Sequence, residues 1–211
     1  MALFMQITNA RPTPNSGAIM SFENNILHDR KIAILATDGF DESQLFSPKK
    51  ALEAAGAEVV IVSLNRGHIK SWEKDHWGKS IEVDATVNDC NAEEFDGLLI
   101  PGGEMNPQML MHDKKVSDFV REFVYDGKSI ASICHGTKVL IDSGMAKGKT
   151  LAAWPAMKKE VLSSGAKWRD DEIVAHKGLI TTRCPDESPS FNKKMIEGFA
   201  IGPKVKRTLL H

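Results

Sequence analysis

From Lys31 onward, short apolar runs alternate with stretches of helical periodicity, and this alternation strongly constrains the fold. Buried strands are predicted at residues 31–37, 57–64, 97–100 and 129–133, with helical stretches between them. Strands that alternate with helices are typical of a mainly parallel sheet covered by helices on both faces. One helical stretch carries an apolar face at helical spacing, formed by Val116, Phe119, Val120, Phe123 and Val124. The sequence therefore predicts an α/β fold.

The sequence leaves the start of the first helical stretch open. Pro48 lies inside the first stretch, so either the main body of that helix begins near Ser47 or the helix is kinked at the proline. Towards the carboxyl end, shorter strands are predicted at residues 172–176 and 179–182. A last helix is predicted from about Ser188.

The length of the chain favours a single domain that follows an N-terminal extension. The 211 residues, 42% of them hydrophobic and 26% charged, suffice for one sizeable core. Residues 1–30 are predicted to be an irregular extension, because residues 11–17 are turn-like and no acidic residue precedes Glu23. This extension lacks the continuous apolar region of a secretory signal. Residues 31–211 are expected to form the domain.

The charge and the cysteine content argue against several classes of partner. With a formal net charge of -1 and no long basic run, the chain shows no footprint for nucleic acid or an anionic membrane surface. No apolar stretch approaches the roughly 20 residues that span a bilayer. Cys90, Cys134 and Cys184 are too widely spaced for a disulfide framework or a zinc site. We therefore expect a protein of the reducing cytoplasm that binds small molecules or peptides and has no cofactor or metal.

Residues 128–137 are typical of a nucleophile elbow, a sharp turn between a strand and a helix that presents one side chain. The strand runs directly into Cys134. Ser132 and Gly136 are the small residues that such a turn requires on either side. A helix beginning at His135 would direct unpaired backbone N–H groups at the sulfur and favour the thiolate. Cys134 is therefore the candidate nucleophile.

Several polar or glycine-rich segments follow the predicted strands and would meet at one edge of the sheet. In an open α/β sheet this edge, at the carboxyl ends of the strands, holds the ligand site. Three segments would lie around the cysteine, at residues 38–44, 101–104 and 183–186. Two consecutive glycines allow a close approach of the backbone. We predict that the N–H groups of Gly103 and His135 form an oxyanion hole beside Cys134.

These segments resemble the PfpI/ThiJ superfamily over about residues 31–200. The resemblance rests on Ala-Thr-Asp-Gly-Phe-Asp at 36–41, Leu-Ile-Pro-Gly-Gly at 99–103, Ala-Ser-Ile-Cys-His-Gly at 131–136, and Thr-Thr-Arg at 181–183 followed by Pro-Asp at 185–186. The superfamily implies a flavodoxin-like three-layer αβα sandwich, shared with class I glutamine amidotransferases. It also implies a homodimer or a larger homo-oligomer, with Cys134 as the reactive residue and His135 beside it.

The same resemblance implies two acidic residues that this chain lacks. Many members carry a glutamate at the position of Gln44, where its carboxyl group hydrogen-bonds the reactive cysteine. Protease-like members carry an acidic residue near Gln108 that reaches across a subunit interface to orient the histidine. An amide can orient a group but cannot accept a proton at neutral pH. A Cys-His-acid triad would therefore need a substitute acid, for which the candidates are Glu104, Asp41 and Glu42.

Three functions are compatible with these residues. The leading hypothesis is a cysteine-dependent hydrolase, similar to the intracellular proteases and amidases of the superfamily, in which the Cys134 thiolate attacks an amide or another carbonyl. The second is a stress or redox protein, or a chaperone, in which Cys134 is an oxidisable thiol. The third is a glyoxalase-like or deglycase-like activity on methylglyoxal or its adducts, which in relatives depends on the glutamate equivalent to Gln44.

Other conspicuous residues are predicted to be structural. Arg183 could bind an anionic substrate group, but anchoring of a loop is the better prediction. Cys90 and Cys184 are expected to be structural because neither lies in an elbow. A surface excursion without a metal is expected for the segment that contains His68, Trp72, His76 and Trp77.

Overall fold

Residues 25–183 and 189–202 are described in the structure, which is a computed structural model. In chain order, the strands are β1 Lys31–Leu35, β2 Glu58–Ser63, β3 Gly67–Glu73, β4 His76–Val83, β5 Ala85–Thr86, β6 Gly97–Ile100, β7 Ser129–Ile133, β8 Thr150–Leu151, β9 Lys167–Trp168, β10 Ile173–His176 and β11 Leu179–Thr182. The helices are α1 Glu42–Ala54, α2 Met105–Leu110, α3 Lys114–Tyr125, α4 Thr137–Asp142, α5 Lys158–Ser163 and α6 Pro189–Ala200.

Seven of these strands form one sheet, in the order β10-β11-β7-β6-β1-β2-β5. Every neighbouring pair in the sheet is parallel except β10 with β11. Strand β7 lies between β6 and β11, where Ile100 pairs with Ser132 and Thr182 pairs with Ile133. The predicted mainly parallel sheet is confirmed. The carboxyl ends of β1, β6, β7 and β11 lie at the same edge.

Each face of the sheet has its own hydrophobic core. On one face, Ala33 and Leu35 of β1 pack with the apolar stripe of α3 that the periodicity predicted. On the other face, Ile32 and Ile34 pack with α1 and α6. Burial of each Leu, Ile or Phe side chain stabilises the fold by about 1.5–3 kcal/mol. Helices therefore cover both faces, and the three-layer αβα sandwich is confirmed.

The first helix begins earlier than one of the two predictions places it. Helix α1 starts at Glu42 and continues through Pro48. The Asp41 side chain caps the helix by accepting a hydrogen bond from the Gln44 N–H at 3.1 Å. The predicted start near Ser47 is wrong, because this cap satisfies first-turn N–H groups well before the proline.

Within the described ranges, no helix combines the length and apolarity needed to cross a membrane.

Strands β3 and β4 form a separate antiparallel hairpin, which the strand predictions did not include. The rings of Trp72 and Trp77 pack edge to face across it, with centroids 5.1 Å apart. The hairpin is attached to the loop after β1, because the Gly39 N–H donates to the Lys70 carbonyl at 2.8 Å and the Trp72 N–H donates to the Phe40 carbonyl at 2.9 Å. It therefore supports the edge of the sheet at which the candidate site lies.

Residues 25–30 are the part of the predicted N-terminal extension that the structure describes. They form turns. Leu27 is fully buried, and its N–H donates to the Ala55 carbonyl at 2.8 Å. This end of the predicted extension therefore packs against the carboxyl end of α1.

Candidate active site

The sheet brings three loops together at the carboxyl ends of β1, β6 and β7. Cys134 follows β7, Gly102 and Gly103 follow β6, and Gln44 lies in the first turn of α1, after β1. Two of the loops are joined directly, because the Asp41 N–H donates to the Gly102 carbonyl at 3.4 Å. Residues that are far apart in sequence therefore surround the cysteine.

Cys134 has the backbone geometry of an elbow. Its φ of 52° lies in the left-handed region, which costs a non-glycine residue on the order of 1–3 kcal/mol. A 3-10 turn over Cys134–Gly136 leads from β7 into α4. Gly136 is required in this turn, because a Cβ there would lie 2.5 Å from the Ile100 carbonyl oxygen and 2.8 Å from that of Pro101. The predicted elbow is confirmed, and it keeps backbone strain at the candidate nucleophile.

The thiol of Cys134 and the imidazole of His135 are neighbours. The cysteine is only 5% exposed, and its Sγ lies 3.5 Å from Nδ1 of His135. Burial lowers the pKa of the half-buried imidazole, and Lys138 lowers it further, whereas Glu104 and Glu160 oppose the change. The imidazole is therefore neutral at neutral pH, and its Nδ1 can accept the thiol proton.

Gln44 is buried beneath the glycine loop. Its Oε1 accepts a hydrogen bond from the Gly102 N–H at 2.9 Å. A Cβ at Gly102 would lie 2.5 Å from that oxygen and 3.2 Å from the His135 nitrogen, so Gly102 fits closely between Gln44 and the elbow. The glutamine thus supplies the acceptor that this buried N–H needs, without introducing a buried charge.

The two predicted oxyanion donors, the N–H groups of Gly103 and His135, point to no protein acceptor within the described residues. Gly103 has a φ of 98°. A Cβ there would lie 2.4 Å from the Gly39 oxygen and 2.8 Å from the Asp41 nitrogen, so only glycine fits. Both N–H groups are free to donate to a ligand, whereas the neighbouring Gly102 N–H is already engaged.

Among the described residues, none of the candidate substitute acids makes a hydrogen bond to His135. Glu104 and Gln108 are exposed at α2. Neither makes a hydrogen bond to His135. The carboxylate of Glu104 acts on the imidazole only through space, by raising its pKa.

The other candidate acids, Asp41 and Glu42, form hydrogen bonds and an ion pair with groups other than His135. Asp41 caps α1 and also accepts from the Ser43 hydroxyl at 2.7 Å. Glu42 pairs with Lys79 of the hairpin at 2.6 Å and accepts from the Ser71 hydroxyl at 3.1 Å. These bonds lower the pKa of the Glu42 carboxyl, the largest cause being the bond from Lys79. The Asp41 carboxylate therefore stabilises the start of α1, and the Glu42 carboxylate joins α1 to the hairpin.

Arg183 follows β11 at the same edge of the sheet, and its charge is paired with a carboxylate of the loop between β9 and β10. Its guanidinium pairs with Asp170 at 2.6 Å, and its backbone N–H donates to the Glu172 carbonyl at 3.3 Å. These contacts support the predicted anchoring role. The rest of this motif, including Cys184 and residues 185–186, lies outside the described residues.

Asn106 holds the site together, and the sequence did not identify it. The residue is fully buried in α2. Its Nδ2 donates to the carbonyls of Pro101 at 2.8 Å and Gly102 at 3.3 Å, and its Oδ1 accepts from the Thr37 N–H at 2.7 Å. It thus joins the end of β1 to the glycine loop. No local signal pairs Asn106 with Thr37, since 69 residues separate them.

An aromatic side chain lies beside the imidazole of His135. Trp154, 39% exposed, packs beside His135 with ring centroids 6.2 Å apart, and this neighbour was also not predicted.

Cys90 is buried, and its thiol donates to the Thr86 carbonyl at 3.2 Å. Burial raises the pKa of this thiol to about 11, as expected for a structural cysteine. Within the described ranges, no cluster of three or more His, Cys, Asp or Glu residues could hold a metal.

Comparison with known proteins agrees with the fold and the elbow. Residues 30–198 match the DJ-1/PfpI family. "Putative cysteine protease YraA" of Bacillus subtilis is 37% identical over 167 residues, which cover 79% of this chain and 96% of that protein. "Protein/nucleic acid deglycase 2" of Escherichia coli is 35% identical over 168 residues, with coverage of 79% and 96%.

A solved structure shows the same architecture. It is a two-domain protein of Anabaena variabilis that contains DJ-1/ThiJ/PfpI-like and ferritin-like domains, with a TM-score of 0.75 and 30% identity. The match covers 80% of this chain and 48% of that longer chain. The family match over residues 30–198, the shared fold and the cysteine elbow lead to one conclusion: this chain belongs to the DJ-1/PfpI family.

Proposed function

We propose that this chain is a cysteine-dependent hydrolase that acts on an amide or another carbonyl substrate. The observation that carries the proposal is the strained elbow, in which Sγ of Cys134 lies 3.5 Å from Nδ1 of a neutral His135. Strained backbone persists only where the surrounding structure over-determines it, and it concentrates at active sites. The relative named as a cysteine protease supports the same reaction class.

The proposed reaction begins when the His135 imidazole takes the thiol proton and Sγ of Cys134 attacks the carbonyl carbon. A C–S bond forms, and the π electron pair of the carbonyl moves onto its oxygen. The N–H groups of Gly103 and His135 donate to this oxyanion. When the intermediate collapses, the C–N bond breaks and the imidazolium returns its proton to the departing amine. Water then hydrolyses the thioester.

A second candidate is a deglycase-like activity on methylglyoxal or its adducts. The relative named as a deglycase favours it, because the similarity covers nearly all of that protein. The elbow suits addition of a thiol to an aldehyde equally well. Gln44, however, cannot transfer a proton as a glutamate does, so this activity ranks below hydrolysis. Because Gln44 cannot act as an acid or a base, a redox or chaperone role for Cys134 is the third candidate.

We further propose that the protein is a cytoplasmic homodimer or larger homo-oligomer. Cys90 is a free thiol that donates a hydrogen bond to a backbone carbonyl, which suits a reducing compartment. Trp154 and Leu162 are exposed apolar side chains, and an interface that covered them would remove apolar area from water.

Replacing Cys134 with alanine is expected to lower the turnover of amide substrates by about 1000-fold or more, because the attacking atom is removed. Steady-state rates with amide substrates and with methylglyoxal are measured for the wild-type chain, Cys134→Ala and Cys90→Ser. Cys90→Ser is the matched control, since its hydroxyl can still donate to the Thr86 carbonyl. It should retain wild-type rates. Equal rates for the wild type and Cys134→Ala would reject both enzymatic candidates.

We expect kcat/KM to be maintained at pH values between about 7 and the lowered pKa of His135. Burial lowers the pKa of His135, so the imidazole stays neutral until the pH falls below the ordinary histidine value of about 6.5. Below its own pKa it is protonated and cannot accept the thiol proton, and kcat/KM falls. The pH profile of kcat/KM measures this acid limb, and a limb above the ordinary value would contradict a neutral base.

Two variants test whether the acid limb of the pH profile belongs to His135. Lys138 lowers the pKa of His135, so Lys138→Met should move the acid limb to higher pH. Glu104 raises that pKa, so Glu104→Gln should move the limb to lower pH. Shifts in the same direction, or no shift in either variant, would mean that the limb belongs to another group.

A further inference from the structure

A cavity lies at the opposite edge of the sheet from Cys134. It has a volume of about 520 Å³ and is bounded by the start of β7, the turn between β10 and β11, and the ends of α3 and α6. The five residues of β7 separate this edge from the elbow, a distance of about 16 Å along an extended strand. Its size is in the range of small-molecule sites. The proposed hydrolysis at Cys134 does not use it.

The walls of the cavity carry more positive than negative charge. Four lysines line it, and Glu197 is the sole carboxylate among the lining residues, all of which are described. Glu197 is paired with Lys194 at 3.2 Å, and Lys128 lies 3.6 Å from Asp126. Two positive charges, those of Lys149 and Lys177, are therefore left without a carboxylate among the described residues.

Lys149 is the half-buried one of this pair. Its side chain makes no hydrogen bond or ion pair within the described residues. Burial lowers the pKa of its ammonium group, and the nearby charge of Lys177 lowers it further. A buried ammonium without a counter-charge is unfavourable, and an anion bound beside it would remove this penalty.

The fold accounts for the charges of the other two lysines more fully than for those of Lys149 and Lys177. Lys128 and Lys194 each have a carboxylate partner, Asp126 and Glu197 respectively, which accounts for their charges. Lys149 precedes β8, and Lys177 lies in the turn between β10 and β11, so neither belongs to a helix. Lys177 donates to the Gly148 carbonyl at 3.2 Å, which holds the two lysine-bearing segments together.

The same cavity provides a further hydrogen-bond donor and an apolar wall. Nδ1 of His176 accepts a hydrogen bond from the Thr150 N–H at 2.9 Å, so in the neutral ring Nε2 carries the proton and can donate. The apolar wall is formed by side chains of α3, β10, β11 and the residue after α6, namely Val124, Ala175, Leu179, Ile180 and Ile201. A free inorganic anion would leave this wall in contact with water.

We propose that the cavity binds a small amphiphilic carboxylate, whose charged group pairs with Lys149 and Lys177 and whose apolar body packs against Ile180 and Ile201. The cavity supplies two cationic donors for the carboxylate and an apolar surface for the remainder of the molecule. Both parts are needed, because an ion pair alone at a partly exposed site contributes little to affinity. This binding site is independent of the proposed reaction at Cys134.

Calorimetric titration of the full chain with three probes tests each part of the proposal. Octanoate carries both features, octanol carries only the apolar body, and inorganic phosphate carries only the charge. We expect octanoate to bind at least about tenfold more tightly than either of the other probes. Equal binding of octanol would overturn the role of the lysines, and equal binding of phosphate would overturn the role of the apolar wall. No binding of octanoate at about 10 mM would overturn the site.

Matched lysine variants locate the octanoate. Lys149→Met removes the charge and keeps the length of the side chain, and it should weaken octanoate binding by about tenfold. Lys147→Met makes the same change at an exposed position two residues away, outside the cavity, and should leave the affinity unchanged. Thermal unfolding of both variants checks that they fold. Unchanged affinity in a folded Lys149→Met, or equal losses in both variants, would refute the assignment.

Discussion

Replacing Gly136 with alanine is expected to lower the free energy of unfolding by about 2–3 kcal/mol, although helix propensity predicts the opposite sign. Gly136 has a helical backbone, with φ of -56° and ψ of -25°, so alanine would be favoured if only local conformation mattered. The added Cβ, however, would lie 2.5 Å from the Ile100 oxygen and 2.8 Å from the Pro101 oxygen. Both atoms belong to the backbone and cannot rotate away, so the elbow must shift.

This shift should also reduce catalysis, because it displaces Cys134 relative to the glycine loop. A misplacement of about 1 Å can lower a rate by about 100-fold. Chemical denaturation measures the stability, and kcat/KM with the best amide substrate measures the activity. An unchanged or raised stability in Gly136→Ala would show that the loop after β6 can move to accommodate the elbow.

Gly198→Ala is the matched control for this substitution. Gly198 is also helical, and its added Cβ would also lie 2.5 Å from a neighbour, the Cδ1 atom of Ile180. That atom is the end of a flexible side chain, which can change its rotamer. We therefore expect the stability of Gly198→Ala to stay within about 1 kcal/mol of the wild type, with unchanged kcat/KM. A loss as large as that of Gly136→Ala would mean that added bulk at any closely packed glycine of this fold is destabilising.

Replacing Asn106 with leucine should destabilise the protein by about 3–5 kcal/mol, because three buried hydrogen bonds lose one partner. Leucine has a similar volume, so the change leaves no large cavity. The Thr37 N–H and the carbonyls of Pro101 and Gly102 would become unpaired in a site from which water is excluded. The released loop carries Gly103, whose N–H is a proposed oxyanion donor, so kcat should fall by about 10-fold to 100-fold.

Two further variants separate the roles of Asn106. Asn88→Leu makes the same chemical change at an exposed position and should alter the stability by less than about 0.5 kcal/mol. Asn106→Asp keeps the acceptor for the Thr37 N–H but places a carboxylate against two carbonyl oxygens. It should therefore lose stability and kcat as well. If Asn106→Leu keeps the wild-type kcat despite its lower stability, the residue has no part in positioning the loop.

The strands nearest the site were the most predictable elements of the fold. The predictions at residues 97–100 and 129–133 coincide with β6 and β7. Parallel strands buried on both faces are continuous apolar runs, so the sequence shows their ends directly. The hairpin β3–β4 was missed for the converse reason. It is largely exposed and carries polar residues on both sides, so it has no apolar run by which to recognise it.

The sequence by itself determined the α/β class, the turn at Cys134 and the identity of its neighbour His135. These features depend on residues close together in the chain: an apolar run, a cysteine and a glycine two positions later. Only the tertiary structure decided which groups surround the thiol. Gln44 meets Gly102 across 58 residues, and Asn106 meets Thr37 across 69. The opposite cavity likewise gathers its lysines from separate segments. Such pairings depend on strand order and on packing between layers, which no local pattern encodes.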